Sequence, residues 1–470
     1  MRSVALRLAL ALLLLAAPAR TLAAGLASRR PSASLSRECA ALERQIGRAE
    51  ARLGPAAAGI LGGRGLGRSR SRATDRLADR FAERCVKLNQ VQVLGSHNSY
   101  HVQPRPRLFI LLLAFDPAFL AWEYTHLPLD EQFETQGIRQ IELDVFADPE
   151  GGLYAGHPLL ALIGEDPVLS PELDEPGTKV LHVQDVDFET TCFTFVACLE
   201  IVRAWSNAHP GHLPIFILVE AKDEVIIDPL DAGFAIPIPF GPEEFRALDR
   251  EIRSVFPPAQ LITPDDVRGN RATLEEAVLA GGWPTLGDAR GRVFFGLDNA
   301  DKRRDYAGGR PSLEGRILFT NSTPGLSDAA FVKLNDPLGD FSLIRELVAR
   351  GYIVRTRADA DTFEARTGDT TPRDAALASG AQFVSTDYPV EDPEFGTGYF
   401  VEIPGGAPGR CNPLNAPAGC RNATLEEQTG PQLRGRGRRS GDALQRAASI
   451  RAPQAAARIL PRSLSGRSAQ

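Results

Sequence analysis

Gln140-Ile141-Glu142-Leu143-Asp144-Val145 is the stretch that decides the reading of this chain. On an extended strand successive side chains point to opposite faces, so Glu142 and Asp144 project together while Ile141, Leu143 and Val145 share the other face. Two close carboxylates repel, and a buried anion without a partner is driven to neutralise. The pair therefore requires a cation or a shared proton, and a metal ion is the expected cation. A second short run, from Gln92 to Leu94, leads into Gly95-Ser96-His97-Asn98-Ser99-Tyr100 and delivers a His-Asn pair. Just past the acidic strand, the Gly-containing loop Leu153-Tyr154-Ala155-Gly156-His157-Pro158 brings a nitrogen base near the carboxylates in sequence.

Outward from these two runs the chain alternates. Short apolar runs at Ile141 to Val145, Val180 to Val183, Ile215 to Val219, Val293 to Leu297, Ile317 to Thr320, Phe331 to Leu334, Tyr352 to Val354 and Phe383 to Ser385 are separated by helix-like stretches. Those helices are expected at Thr194 to Ser206, Pro242 to Val255, Thr273 to Leu279, Phe341 to Arg350 and Asp374 to Ser379. Such alternation predicts a parallel sheet, and about eight strands over roughly 310 residues predict an α/β fold closed as a TIM-type (β/α)8 barrel, with irregularities from insertions. His97, Asn98, Asp144, Asp185, Asp187, Glu220, Asp298, Arg357 and Asp387 fall at the carboxyl ends of the runs, the rim on which such barrels build their sites.

The 470 residues, 43% hydrophobic, can bury one large core. Met1-Arg2, the Leu/Ala-rich run to Ala17 and the small residues around Ala19 to Ala24 read as a secretory signal over 1–24; a membrane anchor is the alternative, disfavoured because the apolar run is shorter than the roughly 20 residues a span needs. Residues 25–86 read as a helical extension, with amphipathic stretches at Ser36 to Leu53 and Thr74 to Arg84 around a Gly/Arg/Ser-rich link; 87–404 form the barrel. Residues 405–470 are a Cys-stapled loop and a basic low-complexity tail, which holds nine Arg against one acid from Gln432 onward; the tail is expected to be solvated, and no nucleic-acid partner is expected. The net charge of −6 names no partner by itself. Export permits disulfides, and neighbouring cysteines suggest Cys192 with Cys198, Cys411 with Cys420 and Cys39 with Cys85, although fifteen pairings are formally open. A zinc site is disfavoured because there is no Cys-x-x-Cys. Asn321-Ser-Thr and Asn422-Ala-Thr match the glycosylation sequon.

Set side by side, His97-Asn98, Glu142-Leu143-Asp144, His157 and the Glu220 of Ile215-Phe-Ile-Leu-Val-Glu220-Ala-Lys222 occur in an order that resembles the phosphoinositide-specific phospholipases C, most closely the calcium-dependent bacterial type. The likeness covers about Lys87 to Pro404. It implies Ca2+ held by Asn98, Glu142, Asp144 and Glu220, an oxygen-only set suited to a hard cation. It also implies His97 and His157 as the catalytic pair, with His157 the general acid and His97 a stabiliser of phosphoryl oxygen; the base, Glu142 or a histidine, stays open. The implied protein is a secreted, monomeric phosphodiesterase that cleaves phosphatidylinositol-type lipids at a membrane interface to diacylglycerol and inositol phosphate.

Taken singly, each of these signals is more often structural. A Ser-His-Asn at a strand end is usually a turn, and lone acids at strand ends are common. Lys222, Lys333, Arg355 and Arg357 would hold substrate phosphate at the rim or be plain surface charges. Asp185 and Asp187 would orient a catalytic histidine or cap a helix. His101, His126, His182, His209 and His212 read as structural. The apolar run Leu108 to Ala114, next to the rim, is either buried packing or a wedge into lipid. A glycerophosphodiester phosphodiesterase is the alternative enzyme, disfavoured because such barrels carry His-Arg-Gly where this chain has His97-Asn98-Ser99. A catalytically silent headgroup-binding barrel is the alternative outside enzymes.

Overall fold

A computed structural model describes residues 33–53 and 66–426. The expected signal segment, most of the link between the first two helices and the basic tail lie outside the described residues. Among the described residues there are ten strands: β1 Val91–Ser96, β2 Gln140–Phe146, β3 Lys179–Val180, β4 Ile215–Ala221, β5 Val293–Leu297, β6 Leu318–Thr320, β7 Phe331–Lys333, β8 Ile353–Arg357, β9 Phe383–Thr386 and β10 Gly409–Cys411. Eight of them run parallel in the order β6-β5-β4-β2-β1-β9-β8-β7, and a bridge between Asn321 and Phe331 brings the last strand beside the first. The result is a nearly closed TIM-like barrel, as the alternation predicts.

One expected stave differs. The run Val180 to Val183 supplies only the two-residue β3, which pairs antiparallel with the end of β2 outside the barrel order. The chain doubles back there: Val183 bridges Asp187, and Asp185 sits at φ 64°, in the left-handed region that acidic residues tolerate. The eighth stave is β1.

Inside the barrel, Phe216, Phe294, Phe331 and Phe383 close the lower half, with Phe216 stacked on Phe383 at 4.6 Å between centroids. Gly296 makes room for Phe216, since a Cβ at that position would lie 2.4 Å from its ring. Above this apolar floor the inward positions turn polar, which sets the depth of the site. The first two helices, α1 Ala33–Leu53 and α2 Leu66–Cys85, are tied by a Cys39–Cys85 disulfide. They bury Leu42, Ile46 and Phe81 against the core. Glu83 pairs with Arg290, ahead of β5, so this hairpin covers the end of the barrel away from the rim. Cys192–Cys198 and Cys411–Cys420 are the other two disulfides, as neighbour pairing suggests. The helices over Phe195–Ala208 and Leu274–Leu279 each begin on a threonine, Thr194 and Thr273, whose side chain accepts a backbone N–H of the first turn.

Candidate active site

At the end of β1, hydroxyls fix the turn that carries His97 and Asn98. Ser96 donates to Gln132 at 2.7 Å, Gln132 donates to the Ser99 carbonyl at 2.6 Å, and the Glu142 N–H donates to the Ser99 hydroxyl at 2.9 Å. Asn98 is thereby held at φ 41°, a left-handed conformation that Asn adopts more readily than most residues. The turn is thus locked onto β2, the strand that supplies the acids.

Parallel register places Asp144 directly opposite Glu220 and Glu142 opposite Leu218. Asp298 follows β5, and its N–H donates to the Val219 carbonyl. Glu142, Glu220 and Asp298 each bring one oxygen within 4.8 Å of the others. Asn98 Oδ1 and both Asp144 carboxylate oxygens are sealed from solvent and accept no hydrogen bond. An unsatisfied buried acceptor is costly, and three beside further carboxylates form the donor set a hard, oxygen-loving cation fits. Burial, reinforced by Glu220, pushes Asp144 well above the carboxylate range. Burial also raises Glu142 to about 7 despite Arg355.

Side-chain cations ring this set. Arg355 donates to Glu142 at 2.5 Å and Lys333 pairs with Asp298. Lys222 lies 3.5 Å from Glu220 and 3.7 Å from Asp144. Arg357 donates to Asp387 at 2.8 Å. Arg355 and Arg357 occupy alternate positions of β8 and reach the same site, as the strand period implies.

Asp387, just past β9, accepts from His97 Nδ1 at 2.8 Å. Asp387 is itself anchored, because its N–H donates to Asp359 at 2.9 Å. With Nδ1–H committed to the carboxylate, His97 Nε2 is the nitrogen turned to the cleft, 3.5 Å from Arg357.

The rim therefore gathers His97, Asn98, Glu142, Asp144, Glu220, Lys222, Lys333 and Arg357. His157, on the loop after β2, is buried and stacked on Phe188 at 3.8 Å between centroids, and neither ring nitrogen has a partner. Burial, with Arg105 as the second cause, lowers its proton affinity. The loop closes His157 off because Gly156 bridges Val168 and Pro158 opens a helix over Pro158–Leu162. Asp187 does orient histidines, but they are His101 and His182, both set down as structural in the sequence. Asp185 accepts from the Ala235 N–H instead. Sequence reasoning left Asp298 and Asp387 at the rim without roles. The signal for Asp298 was present in Phe294, Gly296 and Asp298, whose alternation continues the inward face of β5.

The run Leu108 to Ala114 lies in α3, Pro106–Phe115, and splits both readings. Leu108, Phe109 and Leu112 are buried, whereas Ile110 and Phe115 are 68% and 53% exposed. Ile227, on the loop after β4, is 87% exposed, and Phe363, beyond β8, is also exposed. Among the described residues no helix is long and apolar enough to cross a membrane.

Residues 86–413 match the family profile described as phosphoinositide phospholipase C, Ca2+-dependent. Similar solved structures include a calcium-dependent phosphoinositol-specific phospholipase C from a Gram-negative Pseudomonas species, at 19% identity and TM-score 0.42, covering 70% of this chain and 96% of that one. Another is a Ca2+-dependent phosphatidylinositol-specific phospholipase C from Streptomyces antibioticus, at 20% identity and TM-score 0.39, covering 67% and 97%. No curated protein matches the chain at a significant level.

Proposed function

Because the chain belongs to the Ca2+-dependent phosphoinositide phospholipase C family, a family of phosphodiesterases, we propose that it is an exported enzyme that cleaves phosphatidylinositol-type lipids at a membrane surface, yielding diacylglycerol and an inositol phosphate. The observation that carries this reading is the set of orphaned oxygens of Asn98 and Asp144 beside Glu142, Glu220 and Asp298. Asn98, Glu142, Asp144 and Glu220 would hold calcium, with Asp298 as a further candidate ligand. Calcium bound there supplies positive charge that acidifies the inositol 2-hydroxyl and offsets charge developing on phosphoryl oxygen.

This chain's own residues do the rest. His97, its Nδ1–H fixed on Asp387, presents Nε2 as the acceptor for the 2-hydroxyl proton. Glu142 is the weaker base, because Arg355 already occupies one of its oxygens. Lys222 and Lys333, which pair with carboxylates of the set that would hold calcium, and Arg357, which pairs with Asp387, are the side-chain cations that would face the headgroup phosphate. Ile110, Phe115, Ile227 and Phe363 form the apolar fringe that rests in lipid while the mouth faces the headgroups. Three disulfides fit an oxidising, extracytoplasmic setting.

The test is purified protein with phosphatidylinositol and with glycerophosphoinositol, with and without a chelator. Calcium-restored release of diacylglycerol is expected. Release of glycerol instead points to a glycerophosphodiesterase, and liposome binding without turnover points to a silent barrel.

A further inference from the structure

Two imidazoles and a carboxylate meet at a point that the lipid-cleaving reading leaves unused. His101, whose N–H donates to the Asn98 carbonyl, bridges Thr190 in an antiparallel contact. On the facing segment the chain doubles back through Asp185, which sets Asp187 against His182. Both rings converge on one carboxylate oxygen: His182 Nδ1 lies 2.7 Å and His101 Nε2 lies 2.9 Å from Asp187 Oδ2.

Counting hydrogens exposes a conflict there. His101 Nδ1 lies 3.1 Å from the Tyr124 carbonyl, which can only accept, so a neutral His101 carries its hydrogen on Nδ1. Its Nε2 then turns a bare lone pair on a carboxylate oxygen. Something positive has to stand between those two acceptors, either a second proton on His101 or a metal ion. The other oxygen of Asp187 bears on the choice. Asp187 Oδ1 is sealed from solvent and accepts no hydrogen bond. A second proton on His101 leaves that costly orphan as it is, whereas a metal ion can draw on both carboxylate oxygens. We propose that His101 Nε2, His182 Nδ1 and Asp187 form a second metal site, one that takes a first-row transition ion of the zinc kind.

The donor chemistry separates this site from the set around Asp144. Two imidazole nitrogens with one carboxylate suit zinc, while calcium prefers oxygen alone. One ligand atom from each of the three residues lies within 4.8 Å of the others. A tetrahedral ion with bonds of about 2.0–2.1 Å holds its ligands about 3.3 Å apart. The two nitrogen contacts to Asp187 therefore widen by a few tenths of an ångström as the ion enters, and the His182 hydrogen moves to Nε2. The His101 contact with the Tyr124 carbonyl is the outer-shell bond that fixes the tautomer of a metal-binding histidine. Tyr124 stacks on His101 at 4.2 Å and Trp122 stands edge-on to His182 at 5.4 Å, so aromatic neighbours hold both rings. His101 and Asp187 have no exposed side-chain surface, but 17% of His182 is exposed, which gives an ion a way in. Three protein groups leave a fourth position for water. No step of lipid cleavage enters this inference, so it stands or falls apart from the proposed function.

The experiment uses full-length protein, stripped with a chelator and returned to excess Ca2+, then titrated with Co2+ and Zn2+. Four-coordinate Co2+ on imidazole absorbs strongly in the visible, whereas Co2+ on oxygen alone absorbs faintly. The wild type should bind one Co2+ per chain with strong bands, lose it to Zn2+ but not to Ca2+, and melt at a higher temperature with Zn2+ present. His182→Gln, His182→Ala and Asp187→Asn should each weaken binding by more than about 10- to 100-fold, the cost of losing a mere outer-shell partner. Asp144→Asn should keep the bands, and so should His209→Gln, which removes the separate pair of His209 and Glu134 at 3.2 Å. Metal-free melts check each fold, and the partly exposed His182 provides variants should Asp187→Asn fail to fold. A wild type with no strong bands and no melting shift overturns the site and leaves a proton as the cation between His101 and Asp187. Bands that survive in both His182 variants, vanish in Asp144→Asn or yield to Ca2+ overturn it as well, because the ion then sits elsewhere.

Discussion

Replacing His157 by leucine should stabilise the protein, an unusual outcome for a buried histidine. A neutral imidazole always carries one donor and one acceptor, and in this structure both are sealed off without a partner. Each such group costs about 1–3 kcal/mol. Leucine removes both, forfeits about 0.5–1.5 kcal/mol of stacking on Phe188, and leaves a net gain of about 0.5–5.5 kcal/mol at pH 7. A second signature depends on pH. Burial, then Arg105, lowers the proton affinity of His157 from 6.5 to about 4. The unfolded chain therefore binds this proton first, so the wild type loses stability as pH falls from 6.5 toward 4. At about 1.4 kcal/mol per pH unit, that fall amounts to about 3 kcal/mol, and the leucine variant is spared it. Denaturant melts of both proteins at pH 7 and pH 4.5 measure the gap, which should widen on acidification. A variant less stable than wild type, or a gap that does not change with pH, refutes the reasoning by showing that the ring is partnered.

Further predictions concern the site and the extension. Asp387→Asn should lower kcat about a hundredfold or more, because the carboxylate that sets the His97 tautomer is lost, and should lower the melting temperature, because buried Arg357 loses its anionic partner; steady-state kinetics and melts check both. Lys222→Met should tighten calcium binding about tenfold or more by removing a unit charge beside Asp144 and Glu220, and should raise KM; calcium titration and initial rates separate the two effects. Ile110→Ser with Ile227→Ser should weaken binding to phosphatidylinositol vesicles while the melting temperature stays within a few degrees, since both side chains are already exposed. Cys39→Ser with Cys85→Ser, which opens a loop spanning 46 positions, should cost about 4 kcal/mol in the extension, read by proteolysis, and spare activity at the far rim.

The barrel was legible because alternation is a local signal. Strands β2 and β4 announce themselves through inward acids and outward aliphatics, and the helices through threonine caps. What stayed hidden depends on distant neighbours. Nothing local distinguishes Val180 to Val183 from a stave, since the turn that diverts it depends on the pairing of Val183 with Asp187. His157 and His182 look alike in sequence, and only packing shows that one is stacked on Phe188 while the other stands over Asp187. Asp298 and Asp387 were placed at the rim correctly, but their roles come from register with Glu220 and reach to His97, which no single segment encodes. The exposed fringe follows the same pattern, since α3 buries Leu108 and Leu112 but not Ile110.

Calcium titration of the wild type and of Asp144→Asn by isothermal calorimetry tests the central claim most directly. Saturable binding with one dominant site is predicted for the wild type, weakened strongly in the variant, with lipid cleavage following the same occupancy curve. A wild type that takes up no calcium, or that cleaves lipid equally well in excess chelator, contradicts the account.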